Sequence, residues 1–139
     1  MSKLPGRLHA TGGVLFILCG IGHSLGQFSA TKPGDGSVAL EQSMRSTHIP
    51  DTPFTYWNVM QCWGALYGAM TILFGVLLLA TAGEARVRRA AAWTGVVAAA
   101  VQAACSLYFG AYPPAFFMIP AAVVLLIVAV RPAPAPAAH

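Results

Sequence analysis

Four long apolar runs dominate the chain, at about 9–28, 54–81, 90–110 and 115–130. A run of ~20 apolar residues is long enough for a helix that crosses the hydrocarbon core of a bilayer. The first run also has the basic start and apolar stretch of a signal peptide, but it is rich in glycine and contains His23, so a retained helix is favoured. The pattern predicts an all-α integral membrane protein, with one four-helix bundle over 1–130 and a Pro/Ala-rich tail at 131–139.

A hydrophilic segment at 29–53 separates the first two apolar runs and holds three of the four acidic residues. Its Pro33-Gly34-Asp35-Gly36 sequence is typical of a turn. Ser37 is then placed to cap a short helix over about 38–47, because a serine side chain can accept a hydrogen bond from the first turn of a helix. We expect an extracytoplasmic loop with one short helix.

Composition supports lipid as the solvent of the exterior. Only 9% of the residues are charged and 57% are hydrophobic, whereas a soluble domain carries about 25% charged residues. The net charge of +4 comes from basic residues at the ends of the apolar runs, which disfavours nucleic-acid binding and indicates control of membrane topology. Lys3 and Arg7, the arginines at 86, 88 and 89, and Arg131 all fall on one side, so both termini are expected in the cytoplasm.

The sequence gives little support for a metal or cofactor site. The cysteines at 19, 62 and 105 lie in separate apolar runs without a CxxC spacing, which argues against a disulfide framework or a zinc site. A haem with two axial ligands would need a histidine opposite His23, and only His48 of the loop offers one. The loop acids with His48 match no cation-binding motif. We therefore expect no metal and no cofactor.

Polar side chains inside the apolar runs concentrate at one level of the membrane. If the runs form antiparallel helices, all of these residues fall near the extracytoplasmic ends: His23 and Gln27 in the first, Asn58 and Gln61 in the second, and Gln102 and Ser106 in the third. This predicts a pocket in the outer leaflet, covered by the 29–53 loop. The alternative is that these side chains only hydrogen-bond one another between helices.

Histidine is the side chain best suited to proton transfer near neutral pH, so His23 is the candidate acid–base group of this pocket. Asp51 or Glu41 of the loop is the expected catalytic partner that would orient it. The remaining candidates for binding a substrate are Gln27, Tyr56, Trp57, Asn58, Gln61, Gln102, Ser106, Arg45 and His48.

Three short motifs carry a resemblance to a known group: Gly20-Ile21-Gly22-His23 in the first helix, Met44-Arg45 in the loop, and Tyr56-Trp57 at the start of the second. The chain resembles small bacterial four-helix membrane proteins that are loosely grouped as DoxX-like. The resemblance implies the fold and a bacterial cytoplasmic membrane, and adds little on activity. The chain also looks somewhat like the four-helix enzymes of glutathione and eicosanoid metabolism, but it lacks their acidic and Arg/Asn motifs within the helices.

The leading functional hypothesis is a membrane-embedded enzyme that isomerises, cyclises or hydrolyses a lipophilic small molecule by acid–base chemistry, surrounded by membrane lipids. The rival is a non-catalytic membrane subunit or lipid-binding scaffold. It would dock a partner, or a second copy in a homo-oligomer, through the glycine faces Gly22/Gly26 and Gly64/Gly68. Solute permeation would require such an oligomer, because one chain of four spans encloses no roomy path.

Overall fold

The computed structural model describes residues 4–29, 36–110 and 112–131. They form five helices: α1 (Leu4–Gln27), α2 (Ser37–Ser46), α3 (Tyr56–Thr81), α4 (Ala85–Tyr108) and α5 (Pro113–Val130). All except α2 are long and apolar enough to cross a membrane, which confirms the predicted all-α four-helix membrane bundle. The predicted tail lies outside the described residues from position 132 onward.

Helix bounds differ from the prediction mainly at the charged ends. Helix α1 begins at Leu4 and α4 at Ala85, about five residues before the predicted starts, so Arg7 and the three arginines at 86, 88 and 89 lie on helical turns. The predicted start of a span is set where a charged residue interrupts the apolar run, whereas the helical backbone hydrogen bonds extend beyond that residue. The expected cap of the short helix is wrong: α2 begins at Ser37 itself, and its N-cap is Gly36, with a φ of 72°.

The four long helices are arranged in a ring in the order α1, α3, α4, α5. Helix α1 packs closely on α3 and on α5, and α4 packs closely on α5, whereas α3 meets α4 over a small area. Helix α2 contacts only α3 among the described helices. Because consecutive spans alternate in direction, the α1–α3 and α4–α5 connections lie at one end of the bundle and the α3–α4 connection at the other.

Burial on each long helix repeats every three or four residues, as for a helix with a single inward face. On α3 the buried positions are Gly64, Gly68, Thr71, Gly75 and Leu78. Large apolar side chains occupy the opposite face; Trp63, for example, is 70% exposed. Such an apolar exterior is stable only when lipid replaces water around it.

Helices α1 and α3 touch through their backbones. A Cβ atom added to Gly13 would lie 2.8 Å from the carbonyl oxygen of Gly75, and one added to Gly20 would lie 2.8 Å from that of Gly68. Small residues of this kind allow close helix packing in lipid, where the hydrophobic effect does not drive association. The centre of the bundle is apolar, with Phe16 fully buried.

Candidate functional site

A polar network joins three of the long helices near the end of the bundle where α1 stops. The rings of His23 on α1 and Tyr67 on α3 meet edge to face, with 4.5 Å between centroids and an interplanar angle of 62°. The Tyr67 hydroxyl donates a hydrogen bond to Oε1 of Gln102 on α4 at 3.0 Å. This hydrogen bond joins α3 to α4, two helices that otherwise meet over only a small area. His23 and Gln102, both predicted site residues, are thus linked through a tyrosine.

Tyr67 was missed by the sequence reasoning. It lies three residues after Gly64 and four before Thr71, so it shares the inward face of α3 with small residues. A single tyrosine among the small residues of this inward face could have indicated a polar contact, because a buried phenol hydroxyl usually finds a hydrogen-bond partner.

A second polar contact lies one helical turn nearer the end of α1. Gln27 Nε2 donates a hydrogen bond to Oε1 of Gln61 at 3.3 Å. Gly64 makes room for it, because a Cβ atom at that position would collide with the Gln27 side chain. These two predicted residues therefore do pair, in the way expected of amides that join two helices in lipid.

Asn58, a predicted site residue, forms hydrogen bonds at the start of α3. Its Oδ1 accepts a hydrogen bond from the backbone N–H of Thr55 at 3.0 Å, and its own N–H donates to the Thr55 hydroxyl at 3.2 Å. This reciprocal pair is a capping box that begins α3. Asn58 is exposed, and its carbonyl group is already engaged at the helix start.

The predicted loop residues lie on the α3 side of the bundle. Glu41 forms an ion pair with Arg45 at 2.8 Å, and the Arg45 guanidinium lies 4.2 Å from the ring centroid of Trp57. The His48 side chain is exposed, and the backbone of His48 forms an antiparallel β-bridge with that of Thr55. The described part of the loop, residues 36–53, therefore lies against the start of α3.

The other three predicted residues differ in exposure. Asp51 is exposed and has a φ of 60° in the turn before α3. Tyr56 is 48% exposed at the first position of α3, which suits the interface between lipid and water. Ser106 is buried on the inward face of α4, one turn after Gln102.

A cleft of about 350 Å³ opens between the end of α1 and the start of α5. This volume is near the lower limit for small-molecule sites, which run from about 300 to 1,000 Å³. The described residues that line it are Cys19, Gly22, His23, Gly26, Gln27, Pro113, Pro114 and Phe117. All of them come from α1 and α5, and none from the loop that was expected to cover the pocket.

Two glycines form the floor of the cleft on α1. A Cβ atom added to Gly22 or to Gly26 would meet no atom of the described residues within 4 Å, whereas one added to Gly20 would lie 2.6 Å from Ile72. Glycine at 20 is thus required by helix contact, and the glycines at 22 and 26 leave open space. They lie one turn apart, on either side of His23 in sequence.

His23 lines this cleft, and one of its ring nitrogens lacks a hydrogen bond to any described residue. Its Nε2 is buried and has no hydrogen-bond partner among the described residues. Neither Asp51 nor Glu41 therefore orients the ring through that nitrogen. A buried polar atom without a partner costs about 1–3 kcal/mol, which is recovered when a bound group supplies the missing bond.

His9 is a second buried histidine, and it lies on α1 at the end opposite His23. It is fully buried, and its Nε2 lies 3.1 Å from Oγ1 of Thr81, while its Nδ1 has no partner among the described residues. The prediction that polar side chains inside the apolar runs concentrate at one level is therefore incomplete, because His9 and Thr81 meet at the other end. Because α1 begins at Leu4, position 9 lies within the helix and faces α3.

Cys19 is buried, and Cys62 and Cys105 are exposed, all with free thiols. Across residues 4–29, 36–110 and 112–131, no three His, Cys, Asp or Glu side chains come together in a group that could hold a metal ion.

No family model, curated protein or solved structure matches this chain. The likeness to DoxX-like proteins thus stays a prediction, and function has to be argued from the site itself.

Proposed function

We propose that this protein binds a lipophilic molecule in the cleft between α1 and α5 and acts on it by acid–base chemistry at His23. The observation that carries the proposal is the buried and unpartnered Nε2 of a histidine whose side chain lines a cleft within an apolar bundle. A neutral imidazole can take up or release a proton near neutral pH, and Nε2 has no competing partner among the described residues.

The walls of the cleft favour an apolar ligand. Phe117 and the two prolines at 113 and 114 form one side, and Gly22 and Gly26 leave space on the other. The polar groups are few, namely His23 in the wall and Gln27 at the end of α1. This composition suits a molecule with a hydrocarbon or ring body and a single hydroxyl or carbonyl group, which His23 would contact.

The reaction classes that fit are those in which the protein has to supply only a proton-transfer group: isomerisation, cyclisation, or hydrolysis in which a water molecule attacks and the leaving group takes up the proton. His23 is the proton-transfer group, and Tyr67 is a positioning residue because its ring meets the imidazole ring edge to face while its hydroxyl donates a hydrogen bond to Gln102. Asp51 and Glu41 have no part in the proposal, because neither lines the described cleft.

In this proposal the protein lies in the bacterial cytoplasmic membrane with both termini in the cytoplasm. The end of the bundle that holds Arg7, Arg88 and Arg131 would then face the cytoplasm, in accord with the bias of basic residues toward that side. The cleft would open in the outer leaflet.

The second candidate is a non-catalytic subunit, in which a helix of a partner fills the cleft. Gly64 and Gly68 are unavailable for this, because Gln27 and Ser24 of the same chain cover them. Gly22 and Gly26 are the open pair, so both candidates use the same cleft and differ in what enters it.

The test is turnover of a membrane lipid extract by the purified protein, followed by mass spectrometry. We expect one species to be consumed by the native protein and retained with His23→Gln, which removes the titrating group but keeps a polar side chain. Gly26→Leu, which fills the cleft, should abolish both binding and turnover. If His23→Gln turns over the extract at the native rate, the acid–base proposal is wrong. If no lipid is consumed and a protein co-purifies only when Gly26 is intact, the chain is a non-catalytic subunit and the acid–base proposal is replaced.

A further inference from the structure

The end of the bundle opposite the cleft carries a concentration of unpaired positive charge. Arg7 on α1, three arginines on the first turns of α4 and Arg131 after α5 all lie there, and Glu84 is the one carboxylate among the described residues at this end. The only ion pair found in the described part of the chain joins Arg45 to Glu41, at the other end. Like charges gathered at one end of a bundle repel one another, and an anion that binds there relieves the repulsion.

Two of these arginines are fixed by backbone carbonyl groups at the ends of neighbouring helices. Arg88 Nη1 donates to the carbonyl oxygen of Ala82 at 2.9 Å, at the end of α3, and Arg89 Nε donates to that of Ala129 at 3.0 Å, near the end of α5. Each bond uses one guanidinium donor on a carbonyl that the helix end leaves without an intrahelical partner. The remaining donors of each guanidinium are held in place at the membrane surface.

Three arginines border the junction of α4 and α5. Arg89 reaches Ala129, Arg131 follows two residues later, and Arg86 lies three residues before Arg89 and therefore on the same side of α4. Exposed apolar side chains continue this side of α4 away from the arginines: Trp93 is 44% exposed and Val97, four residues further on, is 60% exposed. Cationic groups above an apolar surface match a molecule that has an anionic head and hydrocarbon chains.

We propose that this junction binds an anionic phospholipid, with its phosphate on Arg86, Arg89 and Arg131 and its chains along α4 and α5. A guanidinium binds phosphate through paired N–H donors, which fixes the head group as well as attracting it. The site is separate from the cleft and does not depend on the function proposed for His23.

Trp93 provides a local reporter. It lies four residues after Arg89 and seven after Arg86, so it is on the same side of α4 one to two turns deeper, and it is 44% exposed. The other two tryptophans, at positions 57 and 63, belong to the opposite end of the bundle. With both changed to phenylalanine, the emission of Trp93 is quenched by a brominated lipid chain that binds at the junction.

The experiment titrates brominated phosphatidylglycerol or brominated phosphatidylcholine into micelles of the full-length protein. We expect phosphatidylglycerol to half-quench Trp93 at a much lower mole fraction than phosphatidylcholine. Each basic residue near an anionic surface contributes about fivefold in affinity, so Arg86→Gln with Arg131→Gln should raise the half-quenching mole fraction about 25-fold. Arg45→Gln, at the other end, should leave it unchanged.

Arg86→Lys with Arg131→Lys keeps the charges and should stay close to the native curve. Circular dichroism checks folding, and if the double glutamine variant fails to fold, Arg86→Gln alone should still shift the curve about fivefold. Equal quenching by the two lipids, or an unshifted curve for a folded glutamine variant, overturns the proposal. If inorganic phosphate relieves the quenching at a lower concentration than the lipid itself needs to produce it, and sodium chloride of equal ionic strength does not, the site is one for free phosphate and the lipid assignment is overturned.

Discussion

Alanine substitutions at glycines along α1 should change stability in opposite directions, although they lie on one helix. Gly22→Ala places a methyl group in open space, since no atom in the described part of the chain lies within 4 Å of the added Cβ. Gly20→Ala, half a turn away, places the same group 2.6 Å from Cγ1 of Ile72 and 2.8 Å from the carbonyl oxygen of Gly68. The first variant should stabilise the bundle and the second should destabilise it.

The expected size follows from two opposing effects. Replacing glycine by alanine inside a helix stabilises it by roughly 0.5–1 kcal/mol, because alanine loses less backbone entropy on folding. Forcing a methyl group into a packed contact costs about 1–3 kcal/mol, and at Gly20 one of the obstructing atoms belongs to the backbone of α3 and cannot rotate away. Gly22→Ala should therefore raise the free energy of unfolding by most of the roughly 0.5–1 kcal/mol expected for alanine in a helix. Gly20→Ala should lower the free energy of unfolding by up to about 2 kcal/mol overall.

The assay is reversible unfolding in mixed micelles with a rising fraction of sodium dodecyl sulfate, followed by circular dichroism. Gly26→Ala, also on the cleft floor, serves as a replicate of Gly22→Ala, and Gly13→Ala as a replicate of Gly20→Ala. If the cleft glycines prove as intolerant of alanine as the contact glycines, the space between α1 and α5 is filled in the folded protein and the proposed site does not exist.

Two further substitutions test the polar contacts by the same unfolding assay. Tyr67→Phe removes the hydroxyl that joins α3 to α4 and should cost about 0.6–1.7 kcal/mol, with little extra loss when it is combined with Gln102→Leu; a cost that is fully additive would mean that the two side chains do not interact. His9→Ala removes a fully buried side chain and its bond to Thr81 and should cost about 2–5 kcal/mol, whereas His48→Ala, at an exposed side chain, should stay within about 0.5 kcal/mol; equal effects would contradict the burial of His9.

The number of helices and their approximate bounds follow from the sequence, because hydrophobic runs of sufficient length leave few alternatives in a membrane. The shortfall at the start of α1 and α4 has one cause: a charged side chain ends the apolar window but does not end the helix. Arg88 and Arg89 even use that extension, by binding the carbonyl groups that end α3 and α5.

The site could be predicted only in part. The positions of His23, Gln61 and Gln102 along their helices predict that they lie at the same end of the bundle, and in the structure they do. Depth does not give the rotation of each helix or the order of the ring. The amide of Asn58 is at the predicted level yet caps α3, and the cleft uses α5, which carries no polar side chain to mark it.

The most direct test of the proposed cleft is the nitrogen spectrum of His23 in the folded protein. With histidine labelled with nitrogen-15 and the signals assigned through His23→Gln, addition of the membrane lipid extract should shift the Nε2 resonance of His23, because a bound polar group supplies the hydrogen bond that this atom lacks. Gly26→Leu should prevent the shift, and the His48 signals should not move. A His23 resonance that is unchanged by the extract, or that shifts equally with Gly26→Leu, would contradict the claim that a lipophilic molecule occupies this cleft.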